Sequence, residues 1–351
     1  MATRHTSGPL IGMGTSVSGR ITGKLLATQG YVVGIEISGS GARQSVALAD
    51  LEGTILHRVR QPLERVPDIE TVLQLLDGML AEVTQPERLL DGRILRVGVA
   101  VGGLVDATDG VVRTLYHAHG WDNFPLQDYF AEKLAIPCII DNNANAAGLA
   151  ETQQGIGVGE RVVLYVGLGR GIGGALLVNG NVYHGMTCTA GEIGHMQVKE
   201  DGPKCSCGGS GHLEAIASAQ AISRRMSDLA QEYPETLAAI YRFTGNRTGQ
   251  VTAEQVFRLA AEGDKIASHL VDEVLKYLSI ALANIVQLIN PGMIILGGSM
   301  AQAGDLLIAP LQARIRELCL PAASEGLRIV QGSLGTEANL VGAVTLALQD
   351  L

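Results

Sequence analysis

Apolar and polar positions along the chain switch between two periods. Tyr31–Ser38 alternates as a strand does, and Ala42–Asp50 and Gly53–Arg60 read as its hairpin partners across a turn at Asp50–Gly53. Asp68–Glu82 shifts to helical spacing, with Val72, Leu75, Leu76 and Met79 on one face. A buried strand over Arg93–Val101 ends in Gly102–Gly103, and Leu126–Leu134 (helix), Ile136–Ile140 (strand) and Asn142–Gln153 (helix) follow. Strand and helix alternating in this way predict a parallel sheet with helices packed on it. Residues 1–30 carry no such period and are rich in Gly, Ser and Thr, so they read as a tail or linker.

The second half opens like the first. Arg161–Gly167 is a predicted strand, Gly169–Gly174 a glycine-rich turn, and Ala175–Asn179 a returning strand. Helices are expected over Leu213–Ala230, Ala253–Ala261 and Lys265–Ile289, the last stopped by Asn290–Pro291, before a strand at Met293–Leu296 and Gly297–Gly298. The pattern predicts two related α/β lobes, 31–141 and 142–351, with a C-terminal helix over 336–349 packing back on the first lobe.

Composition narrows the class. With 351 residues, 46% hydrophobic and 17% charged, the chain has ample material for a core and is neither disordered nor fibrous. A net charge of −9 argues against direct nucleic-acid binding, which needs clustered Lys and Arg. Apolar runs such as Leu278–Ile289 are short of the ~20 residues a membrane span requires, and no charged leader precedes an apolar segment. Five cysteines, an odd and sparse set, suggest a reducing cytoplasm.

Four of the strongest metal ligands then fall together. His195, Cys205, Cys207 and His212 lie within eighteen residues, and glycines at 208, 209 and 211 let the segment fold round one ion. Two thiolates and two imidazoles are a tetrahedral zinc set, and a site closed by four protein ligands is structural. Loop 195–212 is therefore predicted to be a zinc loop.

The same stretch carries a family resemblance. Ala190-Gly191-Glu192-Ile193-Gly194-His195, followed by Cys205-x-Cys207-Gly208-x-x-Gly211-His212-x-Glu214, resembles the signature of the ROK family of repressors, open reading frames and kinases, with His212 where the family has Cys. The resemblance continues through Val99–Asp106, Gly120–Trp121, Asp141–Glu151, Gly169–Gly185 and Asn290–Gly298, and so covers nearly everything from Tyr31 onward. It implies a duplicated actin-like or ribonuclease-H-like ATPase fold, with two lobes and a cleft. It further implies that Glu192, His195 and Glu214 bind sugar hydroxyls, with Gly102 and Gly103 bringing backbone close and Asn142 adding amide hydrogen bonds. Family members associate through the second lobe, so a homodimer or tetramer is expected, and the apolar face of Leu275, Leu278, Leu282, Ile285 and Ile289 is either that interface or core.

Departures from the kinase pattern cluster at the catalytic positions. ROK kinases resemble Asn-Asp-Ala-Asn where this chain has Asn142-Asn143-Ala144-Asn145, so the general-base position is Asn143, an amide that cannot accept a proton; Asp141, two residues away, is the conceivable substitute. The first phosphate element reads Glu36-Ile37-Ser38-Gly39-Ser40-Gly41, with Glu for Asp near a possible Mg²⁺, Ser38 where glycine is usual, and the Lys missing. The second reads Gly169-Arg170-Gly171, and Gly297–Gly298, near the adenosine in the family, is intact. His117 stands where kinases resemble an Asn near the sugar.

Ser18–Leu26 and Gly30–Ile35 resemble the linker of ROK repressors, yet the seventeen residues before Ser18 are too few for three DNA-binding helices. Three readings result: a sugar sensor acting through a protein partner, an ATP- and Mg²⁺-dependent hexose or N-acetylhexosamine kinase with a rearranged base, and a zinc-stabilised scaffold with a vestigial pocket. Asn143 favours the sensor, and the retained polar groups disfavour the scaffold.

Overall fold

The computed structural model describes residues 30–39, 43–63, 68–89, 92–116, 118–245 and 251–351. Of the predicted tail only Gly30 is among them, as the first residue of a strand; residues 1–29, Ser40 and His117 lie outside. The first half contains β1 (Gly30–Ile37), β2 (Arg43–Asp50), β3 (Ile55–Pro62), α1 (Ile69–Val83), α2 (Pro86–Leu89), β4 (Arg93–Val101), the hairpin β5 (Leu104–Asp106) and β6 (Val111–Thr114), α3 (Leu126–Leu134), β7 (Cys138–Asn142) and α4 (Asn143–Gln153). The second contains β8 (Val162–Leu168), β9 (Ile172–Val178), β10 (Asn181–Val182), α5 (Leu213–Ala217), α6 (Ala219–Glu232), α7 (Pro234–Thr244), α8 (Ala253–Ala261), α9 (Lys265–Ile289), β11 (Met293–Gly297), α10 (Asp305–Leu318), α11 (Pro321–Ser324), β12 (Arg328–Gln331) and α12 (Ala338–Leu348).

The two halves build one sheet topology twice. Sheet order is β3-β2-β1-β4-β7 in one and β10-β9-β8-β11-β12 in the other. In each, the first three strands form an antiparallel meander and the last two join in parallel.

Both faces of the central strands are covered, which explains their unbroken apolar runs. Along β1, Tyr31, Val33, Ile35 and Ile37 face α1 and α3, whereas Val32 joins Leu340, Val344 and Ala347 of α12. Along β8, Leu164, Val166 and Leu168 face the helices around α9, and Val163 and Tyr165 face α4. Helices α4 and α12 pack on each other between the sheets. The close approach of α12 to β4 and to α4 needs small residues. A Cβ on Gly98 would stand 2.0 Å from the Ala343 carbonyl oxygen, and one on Gly342 2.4 Å from the Ala146 carbonyl.

Helix α9 shows its stop signals plainly. Asp264 accepts from the Ala267 N–H at 2.8 Å at the start, and Asn290 closes the helix in the left-handed conformation, φ 53°. Its face of Leu275, Leu278, Leu282 and Ile285 is buried in the second lobe's core, with Ile289 packed against it. That face is core and therefore not an interface.

Some expected elements shift. The helix read over Leu213–Ala230 is two, because Ser218 turns extended and its hydroxyl accepts from the Ala221 N–H to start a new helix. Strand β9 begins at Ile172, inside the expected glycine turn, since Gly173 and Gly174 pair with Gly167 and Val166. Helices α7 and α10 and strand β12 are not among the elements expected from the sequence; α10 has Pro310 inside it.

Candidate functional site

Every loop that follows the carboxyl end of a parallel strand, β12 included, meets at one cleft between the lobes. This is where open α/β sheets bind ligands. Its volume is about 380 Å³, and its lining includes Ser38–Gly39 after β1, Gly102–Gly103 after β4, Asn142–Asn143 at the β7–α4 junction, Gly169–Gly171 after β8 and Gly298–Ser299 after β11. Glu192, His195, Glu214 and Tyr116 close one end; Glu36, Arg43, Thr336 and Asn339 close the other.

At the first end the carboxylates are placed by backbone. The Ile172 N–H donates to Glu214 Oε2 at 2.9 Å. A Cβ on Gly171 would come within 2.3 Å of the same oxygen, so glycine there lets the carboxylate lie against the turn. Burial, and secondarily the negative charge of Glu214, pushes the Glu192 carboxyl up to about 7. His195 faces Glu192 through Nε2 at 3.8 Å, and Tyr116 sits edge-on to the imidazole, ring centroids 5.5 Å apart.

His195 turns its other nitrogen to a metal-sized cluster. Its Nδ1 lies 3.7 Å from Cys205 Sγ, and His212 Nδ1 lies 3.2 Å from Cys207 Sγ. The four ligand atoms all lie within 4.8 Å of one another, a spacing that one tetrahedral ion with N and S ligands would fill. A tight knuckle brings the thiols in: the Cys205 N–H donates to the Gly209 carbonyl and the Gly208 N–H to the Cys205 carbonyl. Gly211 is required at φ 68°, where a Cβ would stand 1.6 Å from the Lys199 carbonyl oxygen.

Asn142 lines the cleft with its side chain bonded within the protein. Its Oδ1 accepts from the Ala144 N–H at 2.7 Å, capping α4, and its Nδ2 donates to the Gly103 carbonyl at 2.7 Å. Asn143 opens α4 and lines the cleft, its Oδ1 buried without a hydrogen-bond partner. Asp141 is buried and absent from the cleft lining. Its Oδ1 accepts from the Asn142 N–H at 2.6 Å and Asn145 Nδ2 at 2.8 Å, and its Oδ2 from His184 Nε2 at 2.7 Å. The substitute base suggested by the sequence therefore faces away from the cleft with both oxygens engaged.

The other end is equally committed. Glu36 Oε2 accepts from the Ser45 hydroxyl at 2.9 Å and Oε1 from Asn339 Nδ2 at 3.0 Å, with Arg43 Nη2 3.7 Å away. A carboxylate so occupied, with a guanidinium beside it, is a poor Mg²⁺ ligand. Arg43 lines the cleft and restores a cation on the side where the expected Lys is missing; the motif hid it, because it stands beyond the glycines at the start of β2. Gly39 is glycine for a local reason, since a Cβ would lie 1.6 Å from the Gly102 carbonyl oxygen. Gly297 lies outside the lining and makes room for the Tyr165 hydroxyl, which a Cβ would approach to 2.1 Å. Arg170 lines the cleft and its Nε donates to Gln220 Oε1 at 3.3 Å.

The ROK family model matches residues 32–350. The chain belongs to the ROK family. Among its relatives, the glucokinase of Halalkalibacterium halodurans is 31% identical over 322 residues, covering 91% of this chain and 95% of that one. A ROK family transcriptional regulator homologous to the E. coli MLC protein superposes with a TM-score of 0.79 at 25% identity, covering 91% of this chain and 78% of that one. A ROK family glucokinase from Streptomyces griseus, solved with glucose and AMPPNP, superposes with a TM-score of 0.77 at 27% identity over 91% and 99% of the two chains. The duplicated α/β fold is thus that of the actin-like ROK sugar kinases, shared with ROK regulators. No helix among the described residues is long and apolar enough to cross a membrane.

Proposed function

We propose that this ROK protein binds a sugar in the cleft and acts as a sensor through a protein partner, with phosphoryl transfer lost or nearly lost. The observation that carries this reading is Asn143. An amide lines the cleft at the general-base position, while the neighbouring carboxylate of Asp141 is turned into a bond with His184. General-base catalysis typically supplies 10²–10⁴-fold, which an amide forfeits.

Sugar recognition is assigned to Glu192, His195 and Glu214, whose acceptors converge on one end of the cleft. Zinc is assigned to His195, Cys205, Cys207 and His212 as a structural ion that fixes the loop between Glu192 and Glu214. With His195 Nδ1 turned to the metal set, Nε2 remains for a hydroxyl, and the metal stiffens the imidazole that makes that contact. Closure of the lobes on the sugar is the signalling step, driven only by the ligand's preference for the closed state.

A second reading, an ATP-dependent sugar kinase, is favoured by the 31% identity to a glucokinase. Under it, the carboxylates left for proton abstraction at the sugar end are Glu192 and Glu214. Calorimetric titration with a panel of hexoses, N-acetylhexosamines and xylose, beside coupled ADP-release assays with ATP and Mg²⁺, separates the two. Sugar binding with turnover far below the ~10 s⁻¹ median of enzymes is expected; turnover near that value overturns the sensor.

A further inference from the structure

The segment 183–191 joins β10 to Glu192. It turns through three positive-φ residues, Gly185 at 72°, Cys188 at 56° and Gly191 at 92°, and internal bonds from the Ala190 N–H to the His184 carbonyl and between the Thr187 and Thr189 hydroxyls, each 3.0 Å, hold its shape. Side-chain contacts tie it to the first half of the chain. Thr108 Oγ1 lies 3.5 Å from Cys188 Sγ, and His184 Nε2 lies 2.7 Å from Asp141 Oδ2. Cys188 also meets the Asp106 carboxylate, and the second contact is a short bond between an imidazole and a buried carboxylate.

Resting on the reading that the cleft binds sugar, we propose that His184 is a positioning residue for that site: through Asp141 it clasps the segment carrying Glu192 against the start of α4. The bonds run without a gap. His184 donates to Asp141, Asp141 accepts the Asn142 N–H, and Asn142 Nδ2 donates to the Gly103 carbonyl. One chain of contacts therefore joins the Glu192 side of the cleft to its glycine floor and to Asn143. His184 itself does not line the cleft, so it acts on a ligand only through the groups it holds.

The bond to Asp141 raises the His184 pKa against the opposing effect of burial. The imidazolium form, with the stronger charge-assisted bond, is thus favoured over a wider range than for a free histidine. Asp141 is the charged group acting on His184; Asn142 and Asn145, which complete the shell of Asp141, are neutral. The clasp is complete below the ordinary histidine range and weakens as pH rises through the raised pKa.

The test uses the whole protein and titrates D-glucose, D-mannose, N-acetyl-D-glucosamine and D-xylose calorimetrically at pH 6, 7 and 8, with unfolding temperature followed in parallel. For whichever sugar binds the wild type, His184→Ala should weaken binding about tenfold at pH 6, the range of a hydrogen bond to a charged group, and less at pH 8. His184→Gln keeps a donor for Asp141 without a titrating group. It should restore affinity to within about threefold and remove the part of the pH profile that His184 supplies, leaving the part supplied by the raised Glu192 carboxyl. Affinity and pH profile unchanged in both variants, even with unfolding temperature lowered, would make His184 a stability bridge and overturn the proposal. Should His184→Ala not fold, the pH profile of His184→Gln alone decides. If no sugar binds the wild type, the sugar reading falls first and the inference with it.

Discussion

Replacing Asn143 by Asp restores the one group whose absence defines the proposed function. The structure sets the expected size of the effect. Asn143 is the first residue of α4, capped by Asn142, and its Oδ1 already has no hydrogen-bond partner to lose. The substitution is isosteric. A carboxylate at a helix N-terminus is stabilised by ~0.3–1 kcal/mol, so Asn143→Asp should leave unfolding temperature within a few degrees of wild type and stay ionised at neutral pH. If the missing base is the main barrier, turnover in the coupled ADP-release assay should rise ~10²–10⁴-fold over wild type, with sugar affinity little changed. Wild-type turnover already near ~10 s⁻¹ would refute the reasoning outright. No gain in a variant that folds and still binds both sugar and ATP would refute its narrower form and move the barrier to Glu36 and Arg43.

The other expectations concern the metal, the sugar end and the packing. Metal analysis should find about one zinc per chain, and chelation should lower both unfolding temperature and sugar affinity; unchanged affinity after full metal removal would disconnect the zinc loop from the cleft. Glu214→Gln removes a charged acceptor held against the Ile172 N–H, and sugar dissociation constants should rise ~10–100-fold, a calorimetric result that a vestigial pocket would not give. Gly98→Ala puts a methyl group where 2.0 Å separates it from the Ala343 oxygen, so denaturant unfolding should show a loss at or above the ~1–3 kcal/mol typical of overpacking.

What could be read from the sequence follows from which physics is local. The repeat of strand, turn and strand was legible because β1 and β8 are each covered on both faces, and burial on both faces leaves an uninterrupted apolar run. The metal cluster was legible because its four ligands are close in sequence and glycine spacing permits only a few loop closures. Side-chain direction at a junction is a different matter. Asp141 and Asn143 are two residues apart, so on a continuing strand they would point the same way. The strand does not continue: Asn142 caps α4, and the turn it starts swings Asn143 into the cleft while Asp141 stays aimed at His184. His184 is more than forty residues further on, and nothing in its surroundings in sequence marks it. Arg43 escaped for the opposite reason. The family motif ends at Gly41, whereas the hairpin register, Ile37 opposite Gln44, carries Arg43 back to the cleft. The amide at 143 is a statement about chemistry that sequence makes directly; which carboxylates are free to compensate for it is a statement about three dimensions, set by the bonds that occupy Asp141 and Glu36.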